Sequence, residues 1–201
     1  MIGRDDARRA LSNYVETPVA LLMDRVGLTP NLVTIIGLLI AGVAAYLIGI
    51  GQWWAGGLVA LFAGIFDMFD GALARNTGRD SDFGALLDST IDRVSEAVVL
   101  LGILAYYLAS DNDWGAMLVY GALVGSIMVS YMRARSEGLG IDCKVGVMTR
   151  PERVALTGLG LIVAHWIPIV MLIVLGVIAA LTTVTAIHRL FHTWRMLQSE
   201  E

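Results

Sequence analysis

Charge and cysteine are both scarce in this sequence. Asp, Glu, Lys and Arg make up 16% of the 201 residues, against about 25% in soluble domains, while hydrophobic residues reach 57% and mean hydropathy is +0.71. That balance excludes an ordinary soluble domain. The single cysteine, Cys143, excludes an intrachain disulfide. With no second cysteine and no His/Cys cluster, a zinc or redox centre is not expected. The N-terminal stretch MIGRDDARRALSNYV lacks the apolar core and small-residue cleavage site of a signal peptide, so Met1 onward reads as mature protein. There is no repeat, no low-complexity segment and no second, soluble domain, since the longest polar stretch between apolar segments is about 135–152. The expectation is a single membrane domain over 1–201.

What is present is apolar sequence in long runs. A hydrocarbon layer about 30 Å thick takes about 20 residues of helix. The segments 31–51, 54–75, 84–108, 114–134, 153–167 and 168–190 can supply this, which predicts an all-α integral membrane protein of six spans. Pro168 suits the opening of the sixth, where a missing amide costs nothing. Residues 4–25 carry Leu11, Val15, Val19 and Leu22 on one side and Asp6, Arg9, Asn13 and Asp24 on the other, the pattern of an interfacial amphipathic helix, with Pro18 as a kink or interruption.

The basic residues orient the chain. With six spans, all but one of the 14 Lys and Arg residues fall on the side of the termini, and the exception, Arg93, lies inside the third span. By the positive-inside rule that side is cytoplasmic. Trp53, Trp54, Trp114 and Trp166 gather at the opposite ends, as interface anchors do. The expected location is the cell membrane, multi-pass, with both termini and the polar site on the cytoplasmic side.

Four aspartates lie inside spans two and three. A carboxylate at helix centre is expensive in a bilayer, so four demand a reason. Asp67 and Asp70 are spaced i, i+3 and Asp88 and Asp92 i, i+4, so each pair shares one helix face. Counted from the loop joining the two helices, the pairs sit at matching depths, roughly 6–12 Å below the helix ends at about 1.5 Å per residue. Facing carboxylates repel, and a divalent cation removes the penalty. An all-oxygen ligand set suits Mg²⁺ or Mn²⁺, one or two ions, with Ca²⁺ as a competitor. Small residues Gly71, Ala74 and Gly84 on these faces leave room for a ligand, and Arg75 stands at the mouth, where it could take a phosphate in bidentate fashion. Glu96 continues the stripe one turn deeper, as outer support or as the partner of Arg93. The same carboxylates would also serve a divalent-cation or proton transporter. That reading calls for polar residues through the whole membrane depth, whereas the far half of each span is largely apolar.

The pattern Asp67-x2-Asp70-Gly71-x2-Ala74-Arg75-x8-Gly84-x3-Asp88-x3-Asp92 resembles the signature of the CDP-alcohol phosphotransferase family, and Pro30-Asn31-x-x-Thr34-x-x-Gly37 resembles the start of that family's first span. The resemblance covers nearly the whole chain. It implies transfer of a phosphatidyl group from a CDP-linked lipid to an alcohol, with release of CMP. It assigns metal binding to Asp67, Asp70 and Asp88, and to Asp92 a share in the metal site and the part of general base. Pro30, Asn31, Thr34, Gly71, Ala74 and Arg75, with Ser81 and Asp82 as weaker candidates, would bind the CDP-lipid.

Asp88-Ser89-Thr90-Ile91-Asp92-Arg93 and the arginine-rich segments at 130–135, 150–153 and 188–190 are most similar to the phosphatidylinositol phosphate synthases of that family, which join CDP-diacylglycerol to inositol phosphate. Arg133, Arg135, Arg150, Arg153 and Arg189 would then bind the acceptor's phosphate, for which the arginine fork is suited; the positive-inside rule would supply cytoplasmic arginines without a ligand. Glycerol phosphate or serine as acceptor, and CDP-archaeol as donor, stay open. No nucleic-acid partner is expected. The resemblance implies a homodimer, and Gly121-x-x-x-Gly125 would allow close helix packing between or within subunits.

Overall fold

The computed structural model describes residues 17–198, and every regular element among them is a helix. They run α1 (Thr17–Arg25), α2 (Pro30–Gly49), α3 (Trp53–Phe66), α4 (Met68–Thr77), α5 (Asp82–Ala109), α6 (Asp113–Glu137), α7 (Arg150–Ala164) and α8 (Ile169–Gln198). The first part of the expected 4–25 helix, with Arg4, Arg8, Arg9, Leu11 and Val15, lies outside the described residues. Its end is α1, Thr17–Arg25, with Pro18 as the second described residue.

Local chemistry sets most helix starts. Thr29 caps α2, its Oγ1 accepting from Leu32 N at 3.3 Å, with Pro30 in the first turn where no amide is missed. Ser81 caps α5 through Gly84 N at 3.0 Å, and Asn112 caps α6 through Gly115 N at 2.9 Å. Pro168 precedes α8 as expected, but α8 runs past residue 190 to Gln198; its 30 residues make a rod about 45 Å long.

Four stretches have the length and apolarity to cross a membrane: α2, α3 with α4 (Trp53–Thr77), α6 and α8. The other two expected spans differ for visible reasons. Helix α5 is long enough, at 28 residues, but carries Asp88, Asp92, Arg93 and Glu96 around its middle; α7 has only 15 residues. The second expected span is interrupted for one residue at Asp67, although the Asp67 amide still bonds the Ala63 carbonyl at 3.0 Å.

Helices α2, α5 and α7 run away from the aspartate end of the bundle; α3–α4, α6 and α8 return to it. Their turns near Gly51, Ser110 and His165–Pro168 meet around one cleft at the far end. The main core lies towards that end, with Ile48, Trp53, Leu100, Ile103, Tyr107, Leu161, Met171 and Leu175 in one cluster. A smaller cluster of Ala20, Val33, Ala72 and Leu73 docks α1 against α2 and α4, and an Arg79–Asp24 ion pair of 3.0 Å adds to it.

Close approaches fix the register. A Cβ on Gly102 would stand 2.4 Å from the Ala45 carbonyl, so α2 and α5 touch backbone to backbone. A Cβ on Gly125 would meet Thr182 Oγ1 and one on Gly121 would stand 3.5 Å from Ala179. The Gly-x-x-x-Gly pair is therefore engaged by α8 of the same chain. The outward faces carry Leu39, Val43, Ile173 and Val184, all more than half exposed, as lipid-facing helices do.

Candidate active site and metal centre

Helices α4 and α5 bring the aspartates together at one end of the bundle. One carboxylate oxygen from each of Asp67, Asp70 and Asp88 lies within 4.8 Å of the other two. These donors come from the α3–α4 junction, the first turn of α4 and the second turn of α5. The set is hard, anionic and all-oxygen, and one member, Asp70, is only 5% exposed. Like charges this close in a half-buried place fit a divalent cation with oxygen preference. Asp92 stands outside this triad, so the four-aspartate set expected from sequence divides into three and one.

Three of the aspartates are held by partners that local spacing does not reveal. Thr34 Oγ1 donates to Asp70 Oδ2 at 2.7 Å and, less closely, to the Pro30 carbonyl at 3.1 Å; Gly71 N donates to Asp70 Oδ1 at 2.5 Å. Thr34, expected to border the nucleotide, thus has its hydroxyl committed to a ligand aspartate. Arg150 Nη1 reaches Asp67 Oδ2 at 2.5 Å and lies 2.7 Å from Asp92 Oδ1, the latter an ion-pair contact rather than an aligned hydrogen bond. The two carboxylates beside the Arg150 guanidinium offset the cost of its burial.

Two clefts open from the aspartates. The first, about 400 Å³, is lined by Pro30, Asn31, Thr34, Asp70, Gly71, Ala74, Arg75, Ser81, Asp82, Gly84 and Asp88. Every residue expected at the CDP-lipid site is there, drawn from the starts of α2 and α5 and from α4. Arg75 folds back so that its Nη1 would stand 3.1 Å from a Cβ on Gly71, and a Cβ on Gly84 would stand 3.5 Å from Asn31 Oδ1; side chains at either glycine would narrow the cleft. Arg79 and Asp80 also line it, which the sequence reading did not single out.

The second cleft, about 370 Å³, is lined by Asp88, Ser89, Asp92, Arg93, Glu96, Ser130, Arg133, Glu137, Thr149, Arg150 and Arg189. Of the five arginines expected around an acceptor phosphate, Arg133, Arg150 and Arg189 line it. Arg150 is committed to the aspartates. Arg189, 3% exposed, donates from Nε to the Val145 carbonyl at 2.9 Å and from Nη1 to the Val129 carbonyl at 2.6 Å, pinning the 138–149 loop to α6 and α8. Arg133 pairs with Glu137 one turn on, at 2.8 Å. Arg135 is exposed and does not line the cleft.

Arg153 departs furthest from expectation. It is 1% exposed, donates from Nε and Nη2 to the two oxygens of Glu96, each at 2.6 Å, and from Nη1 to the Met148 carbonyl at 3.1 Å. Glu96 is therefore the partner of Arg153, not of Arg93, which donates to the Ser89 carbonyl instead and lines the second cleft. Its place next to Asp92 in the sequence is the signal that puts Arg93 near the site.

Comparison with known proteins agrees with this arrangement. The family model for CDP-alcohol phosphatidyltransferases matches residues 27–194. The archaetidylinositol phosphate synthase of Methanothermobacter thermautotrophicus is 35% identical over 192 residues, covering 95% of this chain and 94% of that one. The phosphatidylinositol phosphate synthase of Mycobacterium tuberculosis is 37% identical over 195 residues, 92% of this chain and 88% of that one. Crystal structures of the M. tuberculosis enzyme are also similar. The form with CDP-DAG bound gives a TM-score of 0.82 at 34% identity over 90% of this chain and 94% of that one; the form with manganese and citrate gives 0.82 at 34% over 90% and 89%.

Proposed function

The chain belongs to the CDP-alcohol phosphatidyltransferase family and is a transferase; on that premise we propose that it moves the phosphatidyl group of CDP-diacylglycerol to inositol phosphate, releasing CMP. The observation that carries this reading is the shared wall of the two clefts. Asp88, a member of the aspartate triad, lines both: one cleft carries most of the family motif residues, the other Arg93, Arg133, Arg150 and Arg189. A donor diphosphate in the first and a phosphorylated alcohol in the second would meet at the aspartates.

Asp67, Asp70 and Asp88 would hold Mg²⁺ or Mn²⁺, as the manganese-containing relative suggests. Bound there, the ion supplies charge neutralisation for the donor diphosphate. Pro30, Asn31, Gly71, Ala74 and Arg75 shape the cleft for the CDP end, and the capped start of α5 at Ser81 and Asp82 presents amides to phosphate oxygens. In the second cleft Asp92 accepts the proton of the acceptor hydroxyl. The hydroxyl oxygen forms a new bond to the phosphorus that carries the lipid, the bond from that phosphorus to the bridging oxygen breaks, and the pair leaves with CMP. Arg133, Arg189 and Arg93 offer the acceptor phosphate its cations, with Arg189 also holding the 138–149 loop through the Val145 carbonyl.

Six spans, with α5 and α7 crossing alongside the four apolar stretches, and a cytoplasmic site complete the reading. Helix α1 lies in the interface, a reading supported by the exposed Leu21, Leu22 and Val26 beside buried Ala20. A homodimer would use a face other than the Gly121/Gly125 pair. For the donor, the archaetidylinositol phosphate synthase relative keeps CDP-archaeol as a second reading.

The test is CMP release by purified protein in detergent, with Mg²⁺ or Mn²⁺ and either CDP-lipid, offering inositol phosphate, glycerol phosphate, serine or inositol one at a time. Release should require inositol phosphate, and Arg133→Ala should raise its apparent KM far more than that of the CDP-lipid. Release with glycerol phosphate or serine alone would overturn the acceptor assignment.

A further inference from the structure

The four aspartates are not held alike. Asp70 is fixed by neutral donors, Thr34 Oγ1 and Gly71 N. Asp67 and Asp92 instead share a cation, because one nitrogen, Arg150 Nη1, is 2.5 Å from Asp67 Oδ2 and 2.7 Å from Asp92 Oδ1. That nitrogen stands between a triad carboxylate and the fourth aspartate, where an ion bridging those two would have to sit.

The arrangement is not an incidental surface pair. The three side chains are 25%, 12% and 20% exposed, and the Arg150 Nε–H is buried without a hydrogen-bond partner. Leaving a buried donor unpaired is costly, so the guanidinium is turned to the two carboxylates at the expense of its own Nε. The anchor is firm as well: Arg150 opens α7, after Thr149 at the cap and with Pro151 in the first turn.

We propose that Arg150 is a tethered counter-cation occupying the Asp67–Asp92 side of the aspartate set, so that the protein without substrate takes one divalent ion tightly, at Asp67, Asp70 and Asp88, and a second only by displacing Arg150. The inference rests on the divalent-metal reading of the triad. The two cations compete for the same oxygens, so pairing by Arg150 and occupancy by a second ion oppose each other by mutual linkage. Arg150 is thus a positioning residue rather than a phosphate ligand: it neutralises Asp67 and Asp92 together and holds Asp92 at the wall of the acceptor cleft.

Mn²⁺ binding to the full-length protein in detergent, without substrate, tests this by electron paramagnetic resonance of free Mn²⁺ or by calorimetry. The wild type should bind one ion tightly and a second about tenfold or more weaker, and Arg150→Gln should tighten the second by about tenfold or more. Arg93→Gln removes the same charge from the same cleft without touching Asp67 or Asp92, and should shift the second affinity by less than about threefold, the scale of a screened charge. Two equally tight ions in the wild type, an unchanged second affinity in Arg150→Gln, or equal gains from both variants would each overturn the proposal. Should Arg150→Gln not fold, the wild-type stoichiometry still decides. No Mn²⁺ uptake by the wild type would overturn the metal reading itself, whereas one tight ion with Arg150→Gln unaltered would overturn only the part given to Arg150.

Discussion

Removing a single hydroxyl from α2 should weaken metal binding although no ligand is touched. Thr34 Oγ1 donates to Asp70 Oδ2 at 2.7 Å, and both residues are almost sealed, at 3% and 5% exposure. The hydroxyl has one hydrogen, and the charged carboxylate takes it in preference to the Pro30 carbonyl at 3.1 Å. A hydrogen bond to a charged group contributes roughly 1.5–3 kcal/mol. If that bond holds Asp70 in its ligating rotamer, its loss converts, at about 1.4 kcal/mol per decade, to roughly tenfold to hundredfold in ion affinity, the range found for outer supports of metal ligands. Thr34→Val removes the donor at nearly constant volume, and Thr34→Ser keeps it. Mn²⁺ titration of purified protein should show the Val variant weakened by that factor and the Ser variant within about threefold of wild type. A folded Thr34→Val protein that binds Mn²⁺ as wild type, or a Ser variant as impaired as Val, would refute the reasoning.

Other outcomes follow from the same geometry. Asp92→Asn should leave a folded protein that still takes its tight Mn²⁺ at the triad, while CMP release falls by about 10²–10⁴-fold, the usual share of a general base; near-normal turnover would remove Asp92 from that part. Arg153→Met alone strands the Glu96 carboxylate in a buried place and should cost about 3–5 kcal/mol, whereas adding Glu96→Leu should recover much of it; denaturant unfolding in detergent reads both, and an undisturbed single variant would show that the pair does not hold α5 to α7. Gly102→Ala places a methyl 2.4 Å from the Ala45 carbonyl and should cost about 1–3 kcal/mol by forcing α2 and α5 apart, seen as a lower melting temperature; an unchanged one would mean that contact is looser than described.

Much of the fold and of the site is legible in the residues themselves. The period of the α-helix puts Asp67 with Asp70 and Asp88 with Asp92 before any tertiary contact is known, and their equal distances from one loop bring the pairs level. Thr29-Pro30 and Ser81 start α2 and α5 by capping chemistry that acts within a few residues, whereas the lining of the first cleft was reached through the family resemblance. The four apolar stretches needed only length and composition.

Partner choice among distant charges was not readable in this way. Several arginines were equally eligible neighbours for the aspartates, and spacing cannot rank them. Glu96 meets Arg153 rather than Arg93, and Arg150 reaches Asp67 and Asp92 instead of standing free for an acceptor, because the depth and register of α7 against α3 and α5 decide which guanidinium arrives. The same long-range packing engages Gly121 and Gly125 with α8 and draws Thr34 to Asp70. By itself the sequence determined which helices form and which faces carry carboxylates, since helix period, caps and apolar length are local. Tertiary structure alone decided which charges pair, because that depends on how neighbouring helices settle in depth, and a change of one helical turn would give every carboxylate a different partner.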